Sequence, residues 1–164
     1  MRVLDLDIRH DTGRANSGNN MTTADSLKVA LADTFALYLK GQYFHWNVTG
    51  SDFSMYHDFL GEFYQEVYGA VDPIAELIRT TGDYAPGSFS RFAELTTLQE
   101  QPSIPSAEDM LLELLSDNYK VIASLTAAYN TAEEEKRYGV SNFIQDRLTA
   151  HDKHKWMLTA FSKR

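Results

Sequence analysis

The sequence predicts an all-α chain folded as a four-helix bundle. A long crossover connection, carrying a short extra helix, joins its second and third helices. Three observations predict this. Apolar residues recur at helical spacing over four long stretches, and no alternating strand pattern competes with them. All four prolines fall between residues 73 and 105, which leaves the rest of the chain free to form long helices. Residues 83–105 hold Pro86, Gly87, Ser88, Pro102 and Pro105, a stretch too long for a tight turn and suited to spanning a bundle.

Residues 1–21, with Gly13, Asn16, Gly18, Asn19 and Asn20 and little apolar periodicity, read as an N-terminal arm, and the bundle domain is expected over 22–164. The first helix starts near Thr22, with Asp25 three residues on in a capping-box arrangement. Leu27, Leu31, Phe35, Tyr38, Gln42 and His45 share its spacing, and Thr49-Gly50 ends it. Ser51 or Asp52 caps a second helix expected to run to about Thr80. Pro73 removes a backbone donor and crowds the carbonyl of Gly69, so a kink is expected there. A short helix is expected over Phe89–Leu95. Ser106 and Asp109 cap a third long helix through about Ala132, Glu133-Glu134-Glu135 with Gly139 form a turn, and a fourth helix runs from about Ser141 to Ala160. Four long helices with a crossover between the second and third is the pattern of a ferritin-like bundle.

Composition narrows the chemistry. At 164 residues the chain is one domain, and 43% hydrophobic residues suffice for a core. The absence of cysteine excludes disulfide scaffolds, thiolate metal sites, iron–sulfur clusters and cysteine nucleophiles. A net charge of −8 favours cations over polyphosphates as partners. No apolar run approaches the roughly 18 residues that span a bilayer. The first residues carry Asp5 and Asp7 where a secretory signal would be apolar, so a cytoplasmic protein with no membrane partner is expected.

Of five histidines, two stand out by position. His45 sits just before the turn at 49–51 and His57 just after it, so an antiparallel hairpin brings both imidazoles to one height. Neutral imidazole suits iron, zinc and copper. Asp72 and Glu76 form an i, i+4 pair on one helix face, which taken alone reads as a solvated pair or a cap before Pro73 rather than a metal site. From His57 to Asp72 is roughly 22 Å along a helix, too far for one metal within one chain. Two second helices packed antiparallel about a two-fold axis would bring the histidine end of one to the carboxylate end of the other, twice per dimer. The chain also lacks any Glu-x-x-His, the spacing that intrachain di-iron bundles use.

The run Tyr43-Phe44-His45-Trp46-Asn47-Val48-Thr49-Gly50, then Phe53, His57 and Asp72-Pro73-Ile74-Ala75-Glu76, with Lys153-His154-Lys155-Trp156-Met157 near the end, resembles the Dps family of mini-ferritins from about residue 23 onward. The resemblance implies a hollow homododecamer. It implies a ferroxidase that oxidises Fe²⁺, preferably with H₂O₂ rather than O₂, stores the ferric mineral and so protects against oxidative damage. It assigns His45 and His57 of one subunit, with Asp72 and Glu76 of its neighbour, to the iron site. Trp46 would lie beside that site, or else pack in the core. An acidic three-fold pore would draw on Glu134, Glu135 and Asp146.

One position departs from the family. Where an Asp usually stands four residues after the second histidine, this chain has Gly61. A weaker second iron site, a water-filled gap, or a ligand from His151 or His154 would each answer the loss. Tyr64 and Tyr68, on the His57 side of the helix, are expected to pack rather than relay electrons. Two other readings stand beside the ferroxidase: a DNA-compacting structural protein with a degenerate iron site, and a zinc-binding cage. Against strong DNA binding, residues 1–22 hold Arg2, Arg9 and Arg14 against Asp5, Asp7 and Asp11, and no lysine occurs before Lys28.

Overall fold

The computed structural model describes residues 20–162. Its helices are α1 (Thr23–Asn47), α2 (Phe53–Tyr68), α3 (Val71–Thr80), α4 (Phe89–Leu95), α5 (Ala107–Glu134) and α6 (Tyr138–Ser162). α1, α2 with α3, α5 and α6 form the predicted bundle, and α4 lies on the crossover against α1. The expected arm lies outside the described residues, apart from Asn20 and Met21.

Local chemistry explains most boundaries. The Thr22 hydroxyl accepts from Asp25 N at 3.1 Å while the Asp25 carboxylate accepts from Thr22 N at 3.3 Å, a complete capping box. Ser106 Oγ accepts from Asp109 N at 3.2 Å and starts α5 in the same way. Ser88 Oγ accepts from Arg91 N at 3.3 Å and starts α4. Asp52 stands at the head of α2 without a side-chain cap bond. Leu31, Leu37 and Phe44 of α1 meet Leu60 and Phe63 of α2, Ile74 and Ile78 of α3, Leu114 and Leu125 of α5 and Ile144 of α6 in the core. Buried Asp33 holds the crossover down: its carboxylate accepts from Thr96 Oγ1 at 2.8 Å, Thr97 N at 2.6 Å and Thr97 Oγ1 at 2.9 Å.

Two expectations are corrected. The second long helix does not run unbroken to Thr80: the kink expected at Pro73 and Gly69 is a full break at Gly69-Ala70. α2 ends with Gly69 N donating to Gln65 O at 3.1 Å, and Pro73 falls in the first turn of α3, where its missing N–H costs nothing. The turn between the last helices is tighter than Glu133-Glu134-Glu135 with Gly139 implied. α5 runs through Glu134, and Gly139 is already helical. The turn is a Schellman closure in which Lys136, at φ 58°, takes the left-handed position that glycine usually fills. Lys136 N donates to Glu133 O at 3.0 Å and Arg137 N to Ala132 O at 2.8 Å.

Candidate metal site

The α1–α2 hairpin brings His45 and His57 face to face. Their rings stack with centroids 3.8 Å apart and planes 22° from parallel. Each ring is locked by the other residue's backbone: His45 Nδ1 donates to His57 O at 2.8 Å, and His57 Nδ1 donates to His45 O at 2.9 Å. A carbonyl can only accept, so both Nδ1 atoms carry the proton. Both Nε2 atoms are therefore unprotonated in the neutral rings and can donate a lone pair to a metal. Phe53 stacks on the outer side of His57 at 5.0 Å, and Tyr64 tilts against His45 at 5.2 Å.

Gly61 is buried beneath this pair. A Cβ built there would approach His45 Cε1 to 3.2 Å and Nδ1 to 3.3 Å, so a side chain at this position would crowd the imidazole. Tyr64 and Tyr68 both lean on Tyr38, with ring centroids 6.2 and 4.7 Å away, and Tyr68 is largely exposed. Trp46 is not a core aromatic within this chain. It is 62% exposed.

Asp72 and Glu76 lie one turn apart on α3, both exposed, and among the described residues neither has a hydrogen-bond or ion-pair partner. They stand at the opposite end of the α2–α3 rod from the histidines. Among the described residues no group of three or more His, Asp or Glu lies close enough within one chain to hold a metal.

His151 and His154, which the sequence offered as substitute ligands, belong to another network. His151 is buried. Its Nδ1 donates to Asn118 Oδ1 at 2.7 Å, Asn118 Nδ2 returns a bond to His151 O at 2.9 Å, and Nε2 faces Arg147 Nη2 at 3.4 Å. Burial first, then the Arg147 and His154 charges, push its pKa down to about 3, so it is neutral. His154 Nε2 donates to Glu66 Oε2 at 2.6 Å, and Arg147 grips the same carboxylate with both terminal nitrogens. Burial would raise the Glu66 carboxyl, but the hydrogen bonds from His154 and Arg147 hold it well below the usual carboxylate range. Sequence reasoning missed this network because its members lie on three helices and share no motif.

Of the suggested pore acids, Glu134 and Asp146 are exposed. Glu135 is engaged within the chain: it accepts from Thr23 N at 2.9 Å and from Arg137 Nε at 2.9 Å.

Comparison with known proteins agrees with this architecture. The ferritin-like domain family matches residues 24–164. A DNA protection during starvation protein of Helicobacter pylori is 31% identical over 141 residues, which cover 85% of this chain and 98% of the relative. The chain belongs to the Dps family of ferritin-like proteins. The Dps fold is equally plain in space: a crystal structure of a Dps protein from Bacillus brevis superposes with a TM-score of 0.82 at 28% identity, covering 86% of this chain and 95% of the other. An uncharacterized low temperature-induced protein of Nostoc sp. is 33% identical over 133 residues, 80% of this Dps chain and 74% of the relative. No described helix is long and apolar enough to cross a membrane.

Proposed function

We propose that this Dps protein is a ferroxidase and iron store. It takes Fe²⁺ at sites shared between subunits, oxidises it preferentially with H₂O₂, and keeps the ferric product inside a dodecameric shell in the cytoplasm. The observation that carries the reading is the reciprocal lock between His45 and His57, which turns two lone pairs outward at one point on the α1–α2 hairpin. Imidazole nitrogen suits iron, and the hydrogen bond at the far nitrogen is the usual support of a ligating histidine.

Two nitrogen donors do not complete a site. Asp72 and Glu76 supply the missing charge if two α2–α3 rods run antiparallel about a two-fold axis. One subunit then presents His45 and His57, its neighbour Asp72 and Glu76, and the dimer holds two equivalent sites. Overall, two Fe²⁺ ions are oxidised per peroxide, each giving one electron. The O–O bond breaks, two protons are taken up and two waters leave, while the ferric ions hydrolyse to mineral. A net charge of −8 per chain favours the approach of Fe²⁺ to the shell. The same nitrogen and oxygen donors would also accept Zn²⁺, which makes zinc the natural competitor.

The test is anaerobic Fe²⁺ titration of the assembled protein followed by a stoichiometric peroxide pulse, with the ferric absorbance followed in time. Saturable binding and a fast ferric rise are expected, with the initial rate at least about tenfold lower in His57→Ala and Glu76→Ala while gel filtration shows the same assembly. Parental rates in both variants would sink the proposal.

A further inference from the structure

Gly61 bears on how many ions such a site can hold. It lies on α2 one turn beyond His57, and its backbone is covered by the His45 ring, with His45 Cε1 3.2 Å from where a Cβ would stand. That ring is held from three directions. Its Nδ1 is bonded to His57 O at 2.8 Å, its face is stacked 3.8 Å from His57, and Tyr64 closes another side at 5.2 Å. A Cβ at position 61 would therefore press on a ring held from several sides, and glycine itself adds no donor there.

The donor count follows. Both Nδ1 atoms are spent on backbone carbonyls, so the hairpin offers two nitrogens, one Nε2 from each ring. Residues 58, 62 and 66 do not make up the deficit. Asp58 and Glu62 leave His57 at about 100° and about 140° around the helix, and Glu66 is engaged by Arg147 and His154. With Asp72 and Glu76 of a neighbouring subunit, the total is two nitrogens and two carboxylates. This is a full four-coordinate shell for one divalent ion, and short of what two ions need.

We propose that each intersubunit site holds a single divalent cation in a two-nitrogen, two-carboxylate set, and that Gly61 fixes this number by admitting the His45 ring against α2. The inference rests on the site proposed above. Such a set favours borderline ions (Fe²⁺, Co²⁺, Zn²⁺) over Mg²⁺, which prefers six oxygens.

Cobalt is a suitable probe, because four-coordinate Co²⁺ absorbs strongly in the visible and six-coordinate Co²⁺ weakly. Anaerobic equilibrium dialysis of the assembled protein with Co²⁺, read with its visible spectrum, should give one intensely absorbing ion per chain. That ion should be lost in His57→Ala and undisturbed by millimolar Mg²⁺. Gly61→Ala, which adds only a Cβ against His45, should weaken Co²⁺ binding by about tenfold or more and alter the spectrum. Two ions per chain, both lost in His57→Ala, would overturn the single-ion inference and leave the site itself standing. An ion retained by His57→Ala would overturn the site. Parental affinity and spectrum in Gly61→Ala would remove Gly61 from the account. The ion count in the unaltered protein needs no variant to fold.

Discussion

His154 Nε2 lies 2.6 Å from Glu66 Oε2, and the same carboxylate is gripped by Arg147, whose other neighbour is the buried neutral His151. This joint between α2 and α6 responds to acid in two stages. The pKa of His151 is depressed from 6.5 to about 3 by burial and by the nearby positive charges of Arg147 and His154. Between those values the unfolded chain binds the proton and the folded one does not. The stabilisation is therefore whole above pH 6.5 and is lost as pH falls, at up to about 1.4 kcal/mol per pH unit. Glu66, whose folded pKa is also depressed, adds its loss only below the unfolded carboxylate value of 4.5. The thermal midpoint should fall between pH 6.5 and 5, and His151→Gln should flatten that fall. An equally steep decline in the variant would show that His151 is not its source.

A buried cation holds α1 to α5. Lys40 Nζ reaches Asp117 Oδ2 at 2.5 Å, Glu113 Oε1 at 2.7 Å and Gln99 O at 2.7 Å, with its side chain almost wholly covered. Removing it strands the buried Asp117 carboxylate with only Lys120, 3.3 Å away. Lys40→Met should destabilise by about 3–5 kcal/mol. At roughly 2–4 °C per kcal/mol, the midpoint should drop by about 10 °C at fixed protein concentration. Adding Asp117→Leu should recover most of the loss, since the uncompensated charge is then gone. A single variant within about 1 kcal/mol of the parent would contradict this.

Sites shared between subunits have a mixing signature. His57→Ala and Glu76→Ala homodimers each lack every complete site, whereas a mixed dimer has one intact site and one doubly broken one. Unfolding the two inactive variants together and reassembling them in equal amounts should restore about a quarter of the parental ferroxidase sites. An intrachain site would restore none.

Relatives carry DNA protection in their names, yet the charge of this chain argues against tight association. In the proposed dodecamer, twelve copies at −8 apiece would carry about −96, and residues 1–22 are neutral in sum. At about 150 mM salt no gel shift of duplex DNA is expected at micromolar protein. A complete shift there would show that cationic segments outweigh the net field.

Much of the fold could be read from local chemistry. Thr22 with Asp25, Ser106 with Asp109, and the limits of α4 are set by residues within a few positions of one another, and the structure has them where the spacing puts them. Pro73 crowds the carbonyl of Gly69, which marks where α2 is disturbed, but not that the kink is a full break at Gly69-Ala70. The α5–α6 turn was misplaced because Lys136 adopts a conformation that glycine signals and lysine does not. His45 and His57 could be paired by their distances from one turn, but the lock through each other's carbonyls could not, since it depends on ring orientation. That the His45 ring covers Gly61 was equally invisible, because one letter of sequence does not tell an empty space from an occupied one.

The break at Gly69-Ala70 has a mechanical consequence. Between His57 and Asp72 a straight helix would act as a rigid rod, so any adjustment of the imidazoles would swing the carboxylates by a matching amount. In the two-fold arrangement those groups serve different sites, and closing one would strain the other. The two-residue break interrupts that rod, and it puts Asp72 in the first turn of a new helix, where a negative charge meets the positive end of the helix dipole.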